Sequence, residues 1–299
     1  MKLKEWPVSF YRAFSLSVTP VNKLGRKGIA NAKNCIVSLT TTELRLPIIH
    51  LTIRSLLGQS YQPEKVVLWV NDSLCEKIPS KLSSLIGGRF DIRYSTQNCS
   101  HRKLVESLKV FPDSVIVTCD DDEMYPPTWL ERLWQDHQKF PRDVIAHECR
   151  RIAYHVNGDL LPYTDWRGEK AGESSDQTLA IGYGGVLYPV GCLHEDVLLR
   201  ELYDDLAPRA DDLWFKAMSL RNKTKTRRSS MPYPKSVPIA QSQQVSLKKY
   251  NIKEDGNRLQ WQRLEEHFSF DLSRGGLDPR LGLSKGEDRL SCVSGGGEG

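Results

Sequence analysis

No stretch of the 299-residue sequence approaches the roughly 20 consecutive apolar residues that a membrane-spanning helix requires. The amino terminus also lacks the continuous apolar core of a secretory signal peptide. The seven cysteines are odd in number, and no two of them form a C-x-x-C pair. This spacing argues against a zinc site or a disulfide framework and favours reduced thiols. Together these absences predict a cytoplasmic protein.

Several motifs that mark common enzyme classes are missing. The sequence contains no Walker phosphate loop, no G-x-G-x-x-G and no G-x-S-x-G. His194 and Glu195 do not begin an H-E-x-x-H zinc motif, because position 198 is leucine. The net charge of +5 is too modest to indicate a nucleic-acid partner, and we expect none.

Basic and aromatic residues are concentrated in the first 27 positions. They are Lys2, Lys4, Arg12, Lys23, Arg26 and Lys27, beside Trp6, Phe10, Tyr11, Phe14 and Leu16. A basic segment with aromatic side chains is a candidate for peripheral contact with an anionic membrane. For a cytoplasmic protein this contact would be with the inner face of the membrane. Pro7 and the serines weaken the segment as a continuous helix. We therefore treat residues 1–32 as a basic extension that precedes the folded domain.

Four apolar runs alternate with helical patterns from residue 35 onward. The runs cover residues 35–41, 65–72, 90–95 and 114–119. Continuous Val, Ile and Leu runs separated by helices predict an α/β domain with a mostly parallel sheet covered on both faces. Ligands of such sheets bind beyond the carboxyl ends of the strands.

The remaining elements extend the same domain to residue 270. We expect a helix beginning near Pro127, a strand within residues 143–156, a helix over 211–220 and a last helix over 260–268. The Gly-rich residues 271–299 are predicted to be a flexible tail. The domain proper is thus predicted to span residues 33–270.

Three consecutive aspartates follow the fourth apolar run. In an extended segment alternate side chains point the same way, so Asp120 and Asp122 could share one cation while Asp121 faces elsewhere. Their carboxylates are the hard oxygen ligands that Mg²⁺ and Mn²⁺ accept, with places left for phosphate oxygens. A solvated turn is the alternative, since Pro126 and Pro127 end the segment.

The order of these segments resembles a known group of enzymes. IVSLTT, then NDS after the second strand, HRKL before a helix, DDD, GGVLYP and ADDLW look like GT-A glycosyltransferases of the family 2 type. The set is most similar to bacterial proteins encoded with lipopolysaccharide and capsule synthesis genes. It covers about residues 33–225. The resemblance implies a Rossmann-like GT-A fold and a metal-dependent sugar transfer from a UDP, GDP or CMP donor to a glycan or glycolipid.

The resemblance also implies a donor site. Thr40 and Thr41 match the loop that lines the nucleotide, and Asp72 matches the acidic residue that contacts the base or ribose. Arg102 and Lys103 fall where relatives present cations toward the diphosphate. Turn residues and solvated basic residues would explain the same positions without a ligand.

The three aspartates gain roles from the same resemblance. Asp120 and Asp122 correspond to the metal-binding DxD, with Mn²⁺ or Mg²⁺ as the cofactor. Asp121 would instead contact the donor sugar or ribose.

Two later segments would form the acceptor side. Tyr183, Gly184, Gly185 and Tyr188 border the acceptor cleft in similar proteins, with the tyrosines as surfaces for sugar stacking and the glycines shaping the backbone. A tight turn between strands is the alternative.

An acidic pair at the start of the 211–220 helix supplies the remaining chemistry. A displacement with inversion needs a base for the acceptor hydroxyl, and Asp211 is our first choice with Asp212 as the alternative. Either carboxylate could instead cap the helix.

Two other functions stay open on the same fold. A sugar nucleotidyltransferase would carry a Gly-rich loop with Arg or Lys after the first strand, where this chain has TTTELRLP. A catalytically inactive glycan-binding or scaffold protein would bind no nucleotide in a metal-dependent way.

Overall fold

The computed structural model describes residues 5–24, 31–231, 234–240, 242 and 254–273. Its helices are α1 Trp6–Val18, α2 His50–Leu57, α3 Ser80–Ser83, α4 Arg102–Val110, α5 Trp129–Lys139, α6 Arg200–Leu206, α7 Asp211–Arg221 and α8 Gly256–Phe268. Its strands are β1 Asn31–Thr40, β2 Gln62–Asn71, β3 Phe90–Ser95, β4 Val115–Thr118, β5 Glu123–Met124, β6 Val144–Ala146, β7 Cys149–Arg151, β8 Ser174–Ser175, β9 Thr178–Ala180, β10 Val186–Tyr188, β11 Thr226–Arg228 and β12 Val237–Pro238. Short 3₁₀ turns include Glu43–Arg45, Asp72–Lys77 and Gly182–Gly184.

The central sheet has eight strands in the order β3-β2-β1-β4-β10-β6-β11-β8. Strand β1 runs parallel to β2, with Thr40 opposite Trp69, and parallel to β4, with Ser38 opposite Thr118. Within the described part of this eight-stranded sheet, only β10 and β8 run antiparallel to their neighbours. The predicted α/β class with a mostly parallel sheet is therefore confirmed.

Helices cover both faces of this sheet, as alternate side chains of β1 demonstrate. Ile36 packs into a cluster with α4, α6, α7 and α8, whereas Val37 packs into one with α2, α3 and α5. The strand is buried on both sides because it lies in the middle of the sheet. Its carboxyl end and that of β4 lie at the same edge of the sheet, where ligands of such sheets bind.

The run of residues 143–156 forms strands as expected, but two short ones instead of one continuous strand. The chain forms β6, bends at His147 and Glu148, and then forms β7, which pairs with β9 in a separate two-stranded sheet. The polar side chains explain the break. His147 Nε2 lies 2.9 Å from the Trp129 carbonyl, and Arg150 donates to the carbonyl of Trp166 at 3.0 Å.

The amino-terminal extension contains a continuous helix, α1, which corrects the expectation that Pro7 and the serines would weaken it. Pro7 lies in the first turn, where a missing N–H costs no helical hydrogen bond. Ser9 is buried and donates to the Pro238 carbonyl at 2.7 Å. Leu16 packs with Leu51 and Met124. The boundary at residue 32 stays a prediction.

The last described helix, α8, packs into the core through Trp261 and Leu264. Leu272, which follows it, is also buried. The predicted flexible tail at 271–299 lies outside the described residues from 274 onward. Within the described part of the chain, no helix combines the length and the apolar composition needed to cross a bilayer.

Candidate active site

The acidic triple, Asp120 to Asp122, follows β4 at the carboxyl edge of the sheet. The amino ends of α4 and α7 meet it there, so three segments distant in sequence contribute to one cluster. The position of α4 follows from the topology, because α4 comes after β3, which ends at the same edge as the parallel strand β4.

Lys103, in the first turn of α4, joins the two halves of the cluster. Its Nζ lies 3.1 Å from Asp120 Oδ1 and 3.1 Å from Asp211 Oδ2. Only 6% of the Lys103 side chain is exposed. Burial alone would lower the pKa of Lys103, but the carboxylates of Asp120 and Asp211 raise it well above its usual value. The lysine is thus a fixed cation between the predicted metal-site residue and a predicted base.

The two aspartates at the start of α7 have different surroundings. Asp211 is buried, and Ser100 Oγ donates to its Oδ1 at 2.9 Å. Although burial opposes it, Lys103 holds the pKa of Asp211 below its usual value. Asp212 accepts the Gly182 backbone N–H at 3.0 and 3.1 Å, and burial together with the charge of Asp211 raises its pKa. The pair therefore separates into an ionised Asp211 and a more basic Asp212.

The remaining two aspartates of the triple share a different cation. Arg45, in the turn after β1, forms ion pairs with Asp121 and with Asp122, the latter at 2.9 Å from Nη2 to Oδ2. Thr41 Oγ1 donates to Asp121 Oδ2 at 2.6 Å. Burial and the nearby charge of Asp120 raise the pKa of Asp122 to about 7.

This arrangement corrects the predicted alternation of the triple. We expected Asp120 and Asp122 to share a face, but Asp122 is grouped with Asp121 on Arg45 while Asp120 lies on Lys103. The reason is local. The chain leaves β4 at Thr118 and turns at positions 121 and 122, so the two-residue period of a strand does not apply.

The acidic triple fits a metal ion only in part. Across the described ranges, no group of three or more His, Cys, Asp or Glu side chains is arranged to hold one. Asp120 is the accessible ligand, with 34% of its side chain exposed, whereas Asp122 is already paired with Arg45. This set suits Mg²⁺ or Mn²⁺ held mainly by phosphate and water oxygens. The metal assignment stays a prediction.

Of the other predicted donor residues, Arg102 and Thr40 form hydrogen bonds inside the protein, whereas Asp72 is exposed. Arg102 is buried and donates to Thr40 Oγ1 at 2.8 Å and to the Thr41 carbonyl at 3.1 Å. These hydrogen bonds hold the loop after β1 in place. We expected the Arg102 guanidinium to be free to contact the donor diphosphate, and the structure instead uses it inside the protein. Thr40 Oγ1 donates to the Trp69 carbonyl at 3.0 Å. Asp72 is exposed at the end of β2, and its nucleotide contact stays a prediction.

The predicted acceptor tyrosines also separate. Tyr183 is exposed and lies beside the site, with its carbonyl accepting the Tyr125 hydroxyl at 3.0 Å. Tyr188 is buried in β10 and packs edge-on against Phe215, with ring centroids 5.9 Å apart. Its ring therefore cannot stack on a sugar, because alternation along β10 turns it into the core.

Gly184 and Gly185 lie against the buried side chain of Trp129 and the half-buried side chain of Glu148 and do not line an open cleft. Trp129 Nε1 donates to the Gly184 carbonyl at 2.7 Å. Gly185 has φ +98°, and a Cβ there would lie 2.4 Å from the Trp129 ring. A Cβ at Gly184 would lie 2.9 Å from the Glu148 side chain. Both positions thus require glycine for reasons of space.

Sequence reasoning missed Arg45 and Gly182. Arg45 had a signal, since it is the basic residue of TTTELR in the loop at a strand end. Gly182 precedes the two glycines that drew attention, but a Cβ on it would lie 3.0 Å from Asp212 and 3.2 Å from Lys103. Its backbone belongs to the cluster itself.

The sequence comparisons agree with this geometry. The family model described as "Glycosyl transferase family 2" matches residues 35–187, just over half of the chain. The chain belongs to glycosyl transferase family 2. The match to family 2 runs from β1 through β10 and so includes the acidic triple. The curated proteins include no sequence match.

Two solved structures are similar to the chain at low identity. One is 4-diphosphocytidyl-2C-methyl-D-erythritol synthase from Anaerococcus prevotii, at 12% identity and TM-score 0.44, covering 78% of this chain and 96% of that chain. The other is CMP:2-keto-3-deoxy-manno-octonic acid synthetase complexed with CTP, at 15% identity and TM-score 0.39, covering 67% and 88%.

The contact between Gly185 and Trp129 predicts a specific loss of stability. We expect Gly185→Ala to lower the free energy of unfolding by about 3–4 kcal/mol, because the new Cβ meets the indole and the backbone has positive φ. Gly191→Ala is the matched control, since Gly191 also has positive φ (+68°) but open space around it. It should cost only about 1 kcal/mol. Equal urea midpoints for the two variants would contradict the packing role.

Proposed function

We propose that this family 2 protein is a metal-dependent glycosyltransferase that moves a sugar from a nucleotide donor to a cell-surface glycan or glycolipid. Lipopolysaccharide, capsule or a similar polymer is the acceptor class. The observation that carries the proposal is the position of Lys103 between Asp120 and Asp211. The shared contact with Lys103 supports the proposal, because the family pattern assigns Asp120 to the donor and the pair of Asp211 and Asp212 to the base.

Asp120 is the residue best placed to meet the donor diphosphate. Its carboxylate is the most exposed of the acidic triple, and Lys103 already balances part of its charge. Mg²⁺ or Mn²⁺ bound through Asp120 and through phosphate and water oxygens would offset negative charge on the departing diphosphate. Lys103 supplies a fixed positive charge beside the same position.

Asp212 is a better candidate than Asp211 for the base that takes the acceptor proton. Asp211 is held by Ser100 and Lys103, and Lys103 lowers its basicity. Asp212 has a raised pKa, so its carboxylate is the stronger proton acceptor. In the proposed step the hydroxyl oxygen forms a bond to the anomeric carbon, the bond to the diphosphate breaks, and the proton passes to Asp212.

This assignment predicts the pH dependence of the rate. A base with a raised pKa is protonated at low pH, so kcat/KM should rise with pH through neutrality. This rise is the acidic limb of the pH profile. Asp212→Asn should remove that limb and lower kcat by about 100-fold or more. Asp211→Asn should instead move the limb to lower pH, because one like charge beside Asp212 is gone. If Asp211→Asn removed the limb and Asp212→Asn kept it, the roles would be reversed.

A donor panel tests the reaction itself. UDP-, GDP- and CMP-sugars are incubated with the protein and Mn²⁺ or Mg²⁺, and release of the nucleotide by slow transfer to water is measured. We expect one donor to be hydrolysed, and Asp120→Ala to reduce that rate by about 100-fold. Asp91→Asn is the control, since Asp91 lies near the amino end of β3 and pairs with Lys65 of β2, whereas the acidic triple is at the carboxyl edge of the sheet.

Two further assays identify the alternatives. Release of pyrophosphate from a nucleoside triphosphate and a sugar phosphate would indicate a sugar nucleotidyltransferase. Absence of both reactions, together with absence of metal-dependent nucleotide binding by calorimetry, would indicate a scaffold protein and overturn the proposal.

A further inference from the structure

Helix α1 is apolar on two opposite faces. Its inner face packs against α2 and β12 through Ser9 and Leu16, which are both buried. Its outer side chains, and one in the turn that follows, are large, apolar and exposed: Val8, Phe10, Tyr11, Phe14, Val18 and Val21. Tyr11 and Phe14 are 75% and 67% exposed, so nothing in the described chain covers them.

Helical spacing places these residues together. At about 100° per residue, Tyr11, Phe14 and Val18 fall on one line along the helix, with Val8 and Phe10 on either side. This half of the circumference lies opposite Ser9 and Leu16. A surface helix of a soluble monomer normally presents polar residues there, so the outer face indicates a partner.

The charge of the same segment indicates which partner. The first 27 residues contain six basic residues and one acidic residue, a net +5 that equals the net charge of the whole chain. The rest of the sequence is therefore neutral overall. A second copy of the chain on this face would bring two such positive segments together, whereas an anionic surface would attract them.

We propose that the outer face of α1 binds the surface of an anionic lipid membrane, with the helix lying in the plane of the headgroups. Phe10, Tyr11 and Phe14 enter the interface, and the net positive charge of the first 27 residues attracts the anionic headgroups. The helix has 13 residues and is too short to span a bilayer. The aromatic rings suit the boundary between headgroups and acyl chains.

The inner face ties this membrane contact to the candidate active site. Arg12 donates to the Tyr125 carbonyl at 3.3 Å, just after the acidic triple. Ser9 bonds to Pro238, and the Ile239 N–H donates to the Asp122 carbonyl at 2.8 Å. A membrane-bound α1 would therefore lie between the headgroups and the segment that contains Asp122 and Tyr125. Taken with the proposed function, on which this step rests, the geometry favours a lipid-linked glycan acceptor.

Sedimentation of the full chain with vesicles tests the proposal. We expect binding to vesicles of phosphatidylcholine mixed with phosphatidylglycerol, and little binding to phosphatidylcholine alone. Phe10→Ser, Tyr11→Ser and Phe14→Ser combined should weaken binding by more than about tenfold. Ile86→Ser, Tyr94→Ser and Val110→Ser combined are the matched control, because these exposed apolar residues lie elsewhere on the surface.

A second variant separates the charge contribution. Lys23→Glu, Arg26→Glu and Lys27→Glu combined should also reduce binding to the anionic vesicles by more than about tenfold, and added salt should weaken the wild-type protein similarly. Unchanged binding in either triple variant would overturn the proposal. The proposal would also be overturned if the wild-type protein bound no vesicles and formed a dimer that the aromatic substitutions dissociate. In that case a second copy of the chain would cover the outer face of α1.

Vesicle binding requires no donor, and donor hydrolysis requires no vesicles. A protein that binds vesicles but hydrolyses no donor would refute the proposed function alone. The aromatic variant should hydrolyse the donor in solution at the wild-type rate, because its changed residues are exposed and contact none of the acidic triple. Hydrolysis without vesicle binding would refute only the membrane contact.

Discussion

The ammonium group of Lys103 lies between carboxylates that come from two distant parts of the chain. Asp120 follows the fourth strand and Asp211 begins α7, and each has an oxygen 3.1 Å from the same nitrogen. A buried lysine without such partners would cost several kcal/mol, and so would the carboxylates without it. The charge balance of the site therefore depends on this one cation, and so does the difference between Asp211 and Asp212.

Arg45 balances the charge of the other two aspartates of the acidic triple, as Lys103 does for Asp120. Its two ion pairs allow Asp121 and Asp122 to be buried next to each other, where like charges would otherwise repel. Two fixed cations thus hold three adjacent aspartates at the edge of the sheet. Asp120 is the one whose side chain stays partly accessible, which is what a donor-binding role requires.

Much of this arrangement could be predicted from the sequence, because it follows from strand order. Apolar runs predicted the parallel sheet and placed the acidic triple at its carboxyl edge, whereas the family resemblance assigned Lys103 and Asp211 to the same site. The predicted orientations of single side chains were wrong where the local backbone departs from a regular extended strand or faces the core. The turn after β4 removed the alternation of Asp120 and Asp122, and the orientation of β10 turned Tyr188 into the core. Arg102 was expected to be a free cation, but Thr40 and Thr41 accept its hydrogen bonds, and no sequence pattern signals those contacts.

The central claim is that Lys103 is coupled to the carboxylates on both sides of the site, and a double-mutant cycle measures this directly. Urea unfolding of Lys103→Met should give a loss of about 3–5 kcal/mol in the otherwise wild-type protein. In a background with Asp120→Asn and Asp211→Asn, the same substitution should cost at least about 2 kcal/mol less, because the charges that it balances are gone. An equal cost in both backgrounds would show that the lysine does not join the two halves of the site.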